Sequence, residues 1–140
     1  LHYAKQFNPE LVIDLATLTG AAASITGSYG AALMGTDTTY RNQFIESGLQ
    51  TFERVSEIPF WTEFSELLKS DVADLKNIGG PVGGASTAGK FLEHFTDYPW
   101  LHLDIAGTAF LKEEYGYRQK GGVGFGIRLL YHFLLMCKCG

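Results

Sequence analysis

Cysteine is scarce in this sequence, and long apolar runs are missing. Only two cysteines, Cys137 and Cys139, occur among the 140 residues, both close to the C-terminus. Two thiols are too few for the usual structural zinc site, and they form no disulfide framework. We therefore expect a reduced, cytoplasmic setting. No run of about 18 apolar residues occurs, so we expect no transmembrane helix and no membrane partner.

Basic charge is not in excess either. The chain has 11 Lys and Arg against 15 Asp and Glu, and its formal net charge is -4. Domains that bind nucleic acid usually carry clustered basic residues, so the composition argues against such a partner. No charged region precedes an apolar stretch at the start of the sequence, so we expect no signal peptide. It begins at Leu1, and the stretch Leu1–Phe7 resembles the end of a helix that Asn8-Pro9 terminates, as if cut from something longer.

Two common catalytic or nucleotide motifs are missing. The stretch Gly27-Ser28-Tyr29-Gly30 fails the Gly-x-Ser-x-Gly pattern of a serine nucleophile by one position. Residues 79–89 contain five glycines before Lys90, but Phe91 follows where the Walker pattern requires Ser or Thr. Small residues also let a helix pack closely against neighbouring backbone, and we expect that role for residues 79–89.

A metal site is a further alternative. His102 and Asp104 lie two residues apart on a predicted strand and so share a face, while Asp71 and Asp74 lie three apart. Carboxylate and imidazole together can hold a divalent cation. No third and fourth ligand stand at a clear spacing, so we expect His102 and Asp104 to be satisfied inside the fold or paired with each other.

Apolar runs that alternate with helical patterns predict an α/β domain with a mostly parallel sheet. Predicted strands cover 11–16, 31–35 and 100–107, and predicted helices cover 21–26, 39–52, 61–69, 90–95 and 127–137. We expect Tyr40, Phe44 and Leu49 to share one face of the second helix. We expect Phe64, Leu67 and Leu68 to point inward from the third helix. The last helix should have a broad apolar face of Leu129, Leu130, Phe133, Leu134 and Leu135.

The turn after the first strand is a candidate ligand site. Thr17, Thr19 and Gly20 join a buried strand to a helix, and ligands of open α/β sheets bind beyond the carboxyl ends of strands. An ordinary turn with Thr19 as the helix N-cap explains the same residues. A second turn of small residues, Ala106–Ala109, follows the last strand.

Three stretches together resemble the leucine aminopeptidase (cytosol aminopeptidase) family. They are Ala16–Ala21, Ala73–Gly80 with Gly83–Leu92, and Trp100–Ala109, in matching order and separation. The resemblance implies that residues 1–140 are the C-terminal portion of a three-layer α/β/α catalytic domain. It also implies a metallopeptidase that releases N-terminal residues, often Leu, from peptides. Two divalent ions (Zn, Mn or Mg) would activate a bridging water, and the parent enzyme would be a hexamer.

The resemblance assigns a substrate-binding role to part of this segment. Thr17, Leu18 and Gly20 correspond to positions that bind the substrate backbone. Ala106 and Ala109 correspond to the floor of the first side-chain pocket, and Ile78 to the wall for the second residue. The family's metal ligands and catalytic groups lie in a Lys, Asp and Lys segment and in Asn-Thr-Asp-Ala-Glu-Gly-Arg, and neither is in this sequence.

The isolated chain is therefore expected to be inactive, without catalytic or metal-binding residues of its own. Neighbouring strands of the sheet would be missing, so we expect an exposed sheet edge and self-association. The alternative is a non-catalytic binding or scaffold protein that retains the fold. One departure from the family is Val123-Gly124-Phe125-Gly126, where members often have Thr-Gly-Arg-Pro.

Overall fold

The computed structural model describes residues 1–138, so Cys139 lies outside the described residues. A 3-10 helix, His2–Phe7, precedes the first strand and ends at Asn8 in a left-handed conformation. The strands are β1 (Val12–Ala16), β2 (Ala31–Gly35), β3 (Val55–Glu57), β4 (Trp100–Asp104), β5 (Phe110–Leu111) and β6 (Gly121–Gly122). The helices are α1 (Gly20–Thr26), α2 (Thr38–Thr51), α3 (Glu63–Glu66), α4 (Gly84–Glu93) and α5 (Ile127–Lys138).

Four strands form the main sheet in the order β1-β4-β2-β3, and β5 pairs with β6 in a small hairpin-like sheet. β1 runs parallel to β4, with Val12 opposite Trp100 and Ala16 opposite Asp104. β2 runs parallel to β3, but β2 and β4 are antiparallel. The sheet is therefore mixed, with two of its three strand pairs parallel. This order brings the carboxyl ends of β1 and β4 to the same edge.

Side chains alternate between two apolar cores because successive strand residues point to opposite faces. Ala31 and Leu33 of β2 pack in one core with Phe44 of α2 and Phe133 of α5. Ala32 and Met34 pack in the other core, with residues of α1 and α4. Helices thus cover both faces of the sheet. The structure confirms the predicted three-layer α/β/α fold.

Polar groups at helix starts explain where three helices begin. The Thr19 hydroxyl accepts the amide N–H of Ala22 at 3.0 Å, and the Asp37 carboxylate accepts that of Tyr40 at 2.9 Å. At α5 the cap comes from far along the chain, since Glu53 accepts the Leu129 amide at 2.9 Å. Each acceptor satisfies an N–H that has no partner inside its helix.

The fourth predicted helix was placed wrongly. α4 begins at Gly84, six residues before the predicted start at Lys90. Gly83 precedes it with φ of 62°, a left-handed conformation that suits glycine. The small residues do allow close packing, as predicted. A Cβ added to Gly89 would overlap the Met34 sulfur and lie 2.9 Å from the Phe60 ring.

Other local predictions were wrong because an apolar residue in a helical pattern need not be buried. The predicted helix over 61–69 shortens to α3, and after its end Leu68 is buried but Leu67 is exposed. On α2, Leu49 faces solvent while Ser47 and Gly48 are buried. The predicted apolar face of α5 is narrower, since Leu134 and Leu135 are exposed. The short strand β3 was not predicted at all.

No helix within residues 1–138 combines the length and the hydropathy that a bilayer span requires.

Candidate functional site

Two loops lie side by side at one edge of the main sheet. Residues 17–19 follow β1 and residues 105–109 follow β4, and these two strands are parallel neighbours. The Ile105 amide continues the strand pairing by donating to the Ala16 carbonyl at 2.8 Å. The two small-residue turns predicted at strand ends are therefore adjacent in space.

A single buried carboxylate joins the two loops. Asp104, the last residue of β4, is fully buried. Its Oδ1 accepts the amides of Leu18 and Ala106, each at 3.1 Å, and its Oδ2 accepts the Thr19 hydroxyl at 2.7 Å. A buried carboxylate requires such donors to offset its lost hydration. Asp104 thereby fixes the position of one loop relative to the other.

Thr19 has two roles at this edge. Its hydroxyl donates to Asp104 and accepts the amide of Ala22, so it is the N-cap of α1 as well as a link to β4. The expectation that Thr19 caps the helix is confirmed. The cap does not exclude a ligand, because Thr17 and Leu18 next to it remain exposed.

Gly107 allows the second loop to approach α1 closely. A Cβ at this position would overlap the carbonyl oxygen of Gly27 and lie 3.3 Å from the Ala23 Cα. Both neighbours are backbone atoms and cannot move away cheaply. The site therefore depends on glycine at residue 107.

A cavity of about 330 Å³ opens beside the loop after β1. Leu18 and Thr19 form one side of it, and Ile78, itself largely exposed, belongs to the long segment between α3 and α4. The remaining lining residues are small or polar: Asn77, Gly80, Gly84, Thr87 and Ala88. Two predicted substrate residues, Leu18 and Ile78, thus line the same cavity although 60 positions separate them in sequence.

The other predicted substrate residues lie nearby but not on this cavity. Thr17 and Gly20 are exposed at the end of β1 and the start of α1. Ala106 lines a different cavity of about 550 Å³, together with Ser28 and residues of the 110–115 loop. Ala109 is partly buried and donates its amide to the Ile105 carbonyl at 2.9 Å. The six residues therefore surround one sheet edge rather than one closed pocket.

His102 has a partner that the sequence did not indicate. Its Nδ1 lies 2.6 Å from Oδ1 of Asp14 on β1, and the Trp100 indole donates to Oδ2 of the same carboxylate at 2.6 Å. His102 and Asp104 are thus held inside the fold, as expected, but each with separate partners. Asp71 and Asp74 are exposed and lie in the irregular segment between α3 and α4. Within residues 1–138, no group of three or more His, Cys, Asp or Glu is placed to hold a metal ion.

Sequence reasoning missed the role of Asp104 as the link between the loops. A signal for it was present, because a carboxylate at the end of a buried apolar strand must find donors. The sequence could not say which donors these are. The Leu18 amide and the Thr19 hydroxyl come from positions 86 and 85 residues away.

Comparison with known proteins gives a consistent result. The model of the cytosol aminopeptidase family, catalytic domain, matches residues 1–131. Probable cytosol aminopeptidases of Geobacter sulfurreducens and Acinetobacter baylyi are each 47% identical over 135 residues, covering 96% of this chain and 27% of theirs. A variant of tomato leucine aminopeptidase superposes with a TM-score of 0.90 at 34% identity, covering 97% of this chain and 26% of that one.

This chain spans about a quarter of the length of the relatives that it matches. Within that span the three-layer fold agrees with the superposition on the leucine aminopeptidase variant. The expected resemblance is confirmed. The chain belongs to the cytosol aminopeptidase family and matches that family's catalytic domain.

Proposed function

We propose that this chain forms one wall of the substrate cleft of a metal-dependent aminopeptidase that prefers Leu-like N-terminal residues. The observation that carries the proposal is the cavity shared by Leu18 and Ile78, next to two loops that the buried Asp104 carboxylate holds together. A wall of this kind combines apolar surface with exposed main chain. Such surfaces suit a peptide, which offers both a side chain and a backbone to recognise.

The loop after β1 is the proposed site for the substrate backbone. Thr17 and Gly20 are exposed, and space around Gly20 is open because a Cβ there would meet nothing within 4 Å. A substrate main chain can therefore come close to the protein main chain at this point. Ala106 and Ala109 are small and would leave room for the first side chain, while Ile78 offers apolar contact to the second residue.

The catalytic metal pair would be held elsewhere in the parent protein. Two divalent ions, Zn, Mn or Mg, would supply an activated water for hydrolysis. The described residues do not fit such a pair, because residues 1–138 offer no cluster of three or more ligands. We therefore assign no hydrolytic step to this chain. Its proposed contribution is binding and orientation of the substrate.

The parent protein is proposed to be a cytosolic hexamer that acts on peptides, without a nucleic-acid or membrane partner. The relatives named probable cytosol aminopeptidases support the setting and the reaction class. The structural neighbour, a leucine aminopeptidase variant, supports the preference for Leu. The -4 net charge agrees with the absence of a nucleic-acid role.

The reaction class is tested by comparing this chain with the full-length gene product. We expect the full-length protein to hydrolyse a leucine anilide and to lose that activity when a chelator removes the metal. We expect the 140-residue chain alone to be inactive. Chelator-sensitive hydrolysis by the chain alone would refute the division of roles. A full-length protein that binds peptides without cleaving them would support the scaffold alternative.

The role of the first loop is tested by Gly20→Ala in the full-length protein, with Gly122→Ala as the matched control. A Cβ meets nothing within 4 Å at either glycine, and neither has a positive φ, so both variants should fold. We expect Gly20→Ala to raise KM for a Leu substrate by roughly tenfold, since one lost or misplaced substrate hydrogen bond is worth about 1.4 kcal/mol. Gly122→Ala should leave KM unchanged. Equal KM values for the two variants would contradict the assignment.

A further inference from the structure

A different cavity, formed by arginine and aromatic side chains, lies around the 115–118 turn and the start of α5. Its volume is about 220 Å³. Arg54, Arg118 and Arg128 all line it, and its described lining contains no acidic side chain. Such a concentration of positive charge is notable in a chain with a net charge of -4. None of these residues lines the cavity at the end of β1.

Each of the three arginines lies over an aromatic ring. The guanidinium carbon is 5.7 Å from the ring centre for Arg54 over Phe52, 5.4 Å for Arg118 over Tyr115, and 5.5 Å for Arg128 over Tyr117. Stacking on a ring holds the guanidinium plane but leaves its in-plane N–H donors available to oxygen atoms. Among the described residues, Arg54 and Arg118 therefore keep their N–H donors available, whereas Arg128 directs one donor to Glu53.

Little negative charge within the described chain neutralises this group. Arg128 Nη2 lies 3.4 Å from Oε1 of the buried Glu53, whose other oxygen caps α5. Arg54 and Arg118 form no ion pair with any residue in the described range 1–138. Three guanidinium groups against one carboxylate leave a local charge of about +2, which matches a dianion.

Apart from Gly116, the rest of the cavity lining is aromatic, and two of its rings contact each other. Tyr29 and Tyr115 meet edge to face with ring centres 6.2 Å apart, which ties the 115–118 turn to the start of β2. Phe125 contributes a further wall. Aromatic walls favour an aromatic ligand. Drug-sized ligands fill pockets of about 300–1,000 Å³, so this smaller cavity suits a single ring.

We propose that the cavity of Arg54, Arg118 and Arg128 binds the phosphate monoester of a single aromatic ring. A phosphate monoester carries a charge of about -1.5 to -2 at neutral pH, and arginine binds its oxygens with paired hydrogen bonds. The ring would pack against Tyr117 and Phe125 while the phosphate faces the guanidinium groups. The three arginines do not line the cavities of Leu18 or Ala106, although Tyr115 lines both this cavity and that of Ala106.

Calorimetric titration of the full-length gene product with phenyl phosphate tests the proposal. We expect saturable binding that Arg54→Gln and Arg118→Gln each weaken by roughly tenfold, because each removes a charge-assisted hydrogen bond. Lys120→Gln is the matched control, since Lys120 is exposed on the same loop but does not line the cavity. The control variant should bind as tightly as the wild type.

Three comparison ligands separate the parts of the proposal. Cyclohexyl phosphate keeps the charge but loses the aromatic ring, inorganic phosphate loses the ring altogether, and benzoate replaces the phosphate with a carboxylate. All three should bind more weakly than phenyl phosphate. The proposal is overturned if phenyl phosphate shows no saturable binding at millimolar concentration, if any comparison ligand binds equally well, or if Lys120→Gln weakens binding as much as the arginine variants.

Discussion

At the scale of single residues, buried polar groups rather than exposed ones shape the candidate site. The Asp104 carboxylate accepts three hydrogen bonds and is fully buried, and it connects residues of both loops. A carboxylate in this position cannot be removed without leaving its donors unpaired. The geometry of the loops after β1 and β4 is therefore sensitive to this one side chain.

Replacing Asp104 tests that dependence. Asp104→Ala should lower the free energy of unfolding by about 2–4 kcal/mol, because the amides of Leu18 and Ala106 and the Thr19 hydroxyl lose their acceptor. Asp104→Asn keeps one acceptor oxygen and should cost about half as much. Urea unfolding measures both values. If Asp104→Ala and Asp104→Asn both change the free energy of unfolding only slightly, the carboxylate does not hold the two loops together.

Gly107 offers a second test at this scale. Gly107→Ala places a Cβ against the Gly27 carbonyl oxygen, which is backbone and cannot rotate away. We expect a loss of about 1–3 kcal/mol in the free energy of unfolding from this overpacking. Gly122→Ala, with open space around the new Cβ, should change it little. Equal stability of the two variants in urea would show that the loop shifts freely.

We expect Tyr98 to make the free energy of unfolding depend on pH in the alkaline range. Burial, with smaller contributions from Asp97 and Asp14, raises the pKa of the Tyr98 phenol above its usual value of 10.0. The neutral phenol, which donates to the Leu1 carbonyl at 2.7 Å, is thus favoured in the folded state. Its stabilisation is complete below pH 10.0 and is lost as the pH rises through the higher folded pKa.

Urea unfolding over a pH series around 10 tests whether the free energy of unfolding falls in this way as the pH rises. Wild type should lose stability more steeply than Tyr98→Phe as the pH rises, since the phenylalanine variant has no phenol to titrate. Parallel curves for the two proteins would mean that the Tyr98 pKa is the same in the folded and unfolded states.

At the scale of elements, long-range caps fix where helices begin. α5 depends on Glu53, which lies just after α2, is buried, and accepts the Leu129 amide at 2.9 Å. A carboxylate at a helix N-terminus also interacts favourably with the helix dipole. The contact therefore joins two helices of the same layer as well as capping one of them.

Changing Glu53 to glutamine measures the cap. Glu53→Gln keeps an acceptor but removes the charge, and we expect a loss of about 1 kcal/mol in the free energy of unfolding. Glu46→Gln is the control, because Glu46 is exposed on α2 and its loss makes the same change in charge. High salt should change the difference between wild type and Glu53→Gln little, because Glu53 is buried and buried charges are screened much less than exposed ones. If the two glutamine variants have the same free energy of unfolding, the Glu53 contact does not stabilise α5.

At the scale of the whole molecule, the described residues leave one side of each outer strand of the main sheet unpaired. Within residues 1–138, the main sheet has four strands, and its outer strands β1 and β3 each pair on one side only. Large apolar side chains are also exposed, among them Phe52, Val72 and Ile78 at 79%, 96% and 78%. Unpaired strand edges and apolar surface favour association with another chain.

The 140-residue chain alone should therefore self-associate. We expect light scattering after size-exclusion chromatography to show species larger than the 15.4 kDa monomer, increasing with concentration. Added salt should not reverse this, because burial of apolar surface and not charge drives it. A monodisperse monomer with a cooperative melting transition would contradict the prediction.

The sequence alone determined the family, the α/β class and the elements with clear local patterns. β1, β2 and β4 are indicated by their apolar runs, and the start of α1 by its cap Thr19, because burial and capping leave short-range patterns. Weak patterns gave wrong results. The small residues before Lys90 gave no pattern for the start of α4, which begins at Gly84. Isolated leucines such as Leu49 and Leu67 were predicted to be buried, but both are exposed.

Only the tertiary structure decided which elements meet. A buried strand is apolar whichever neighbour it has, so the sequence could not show that β4 lies between β1 and β2 or that β2 pairs with it antiparallel. The same holds for the buried polar groups. Asp104 needs donors and His102 needs a partner, but their choice of Leu18, Thr19 and Asp14 follows from strand order and register, which bring together residues more than 80 positions apart.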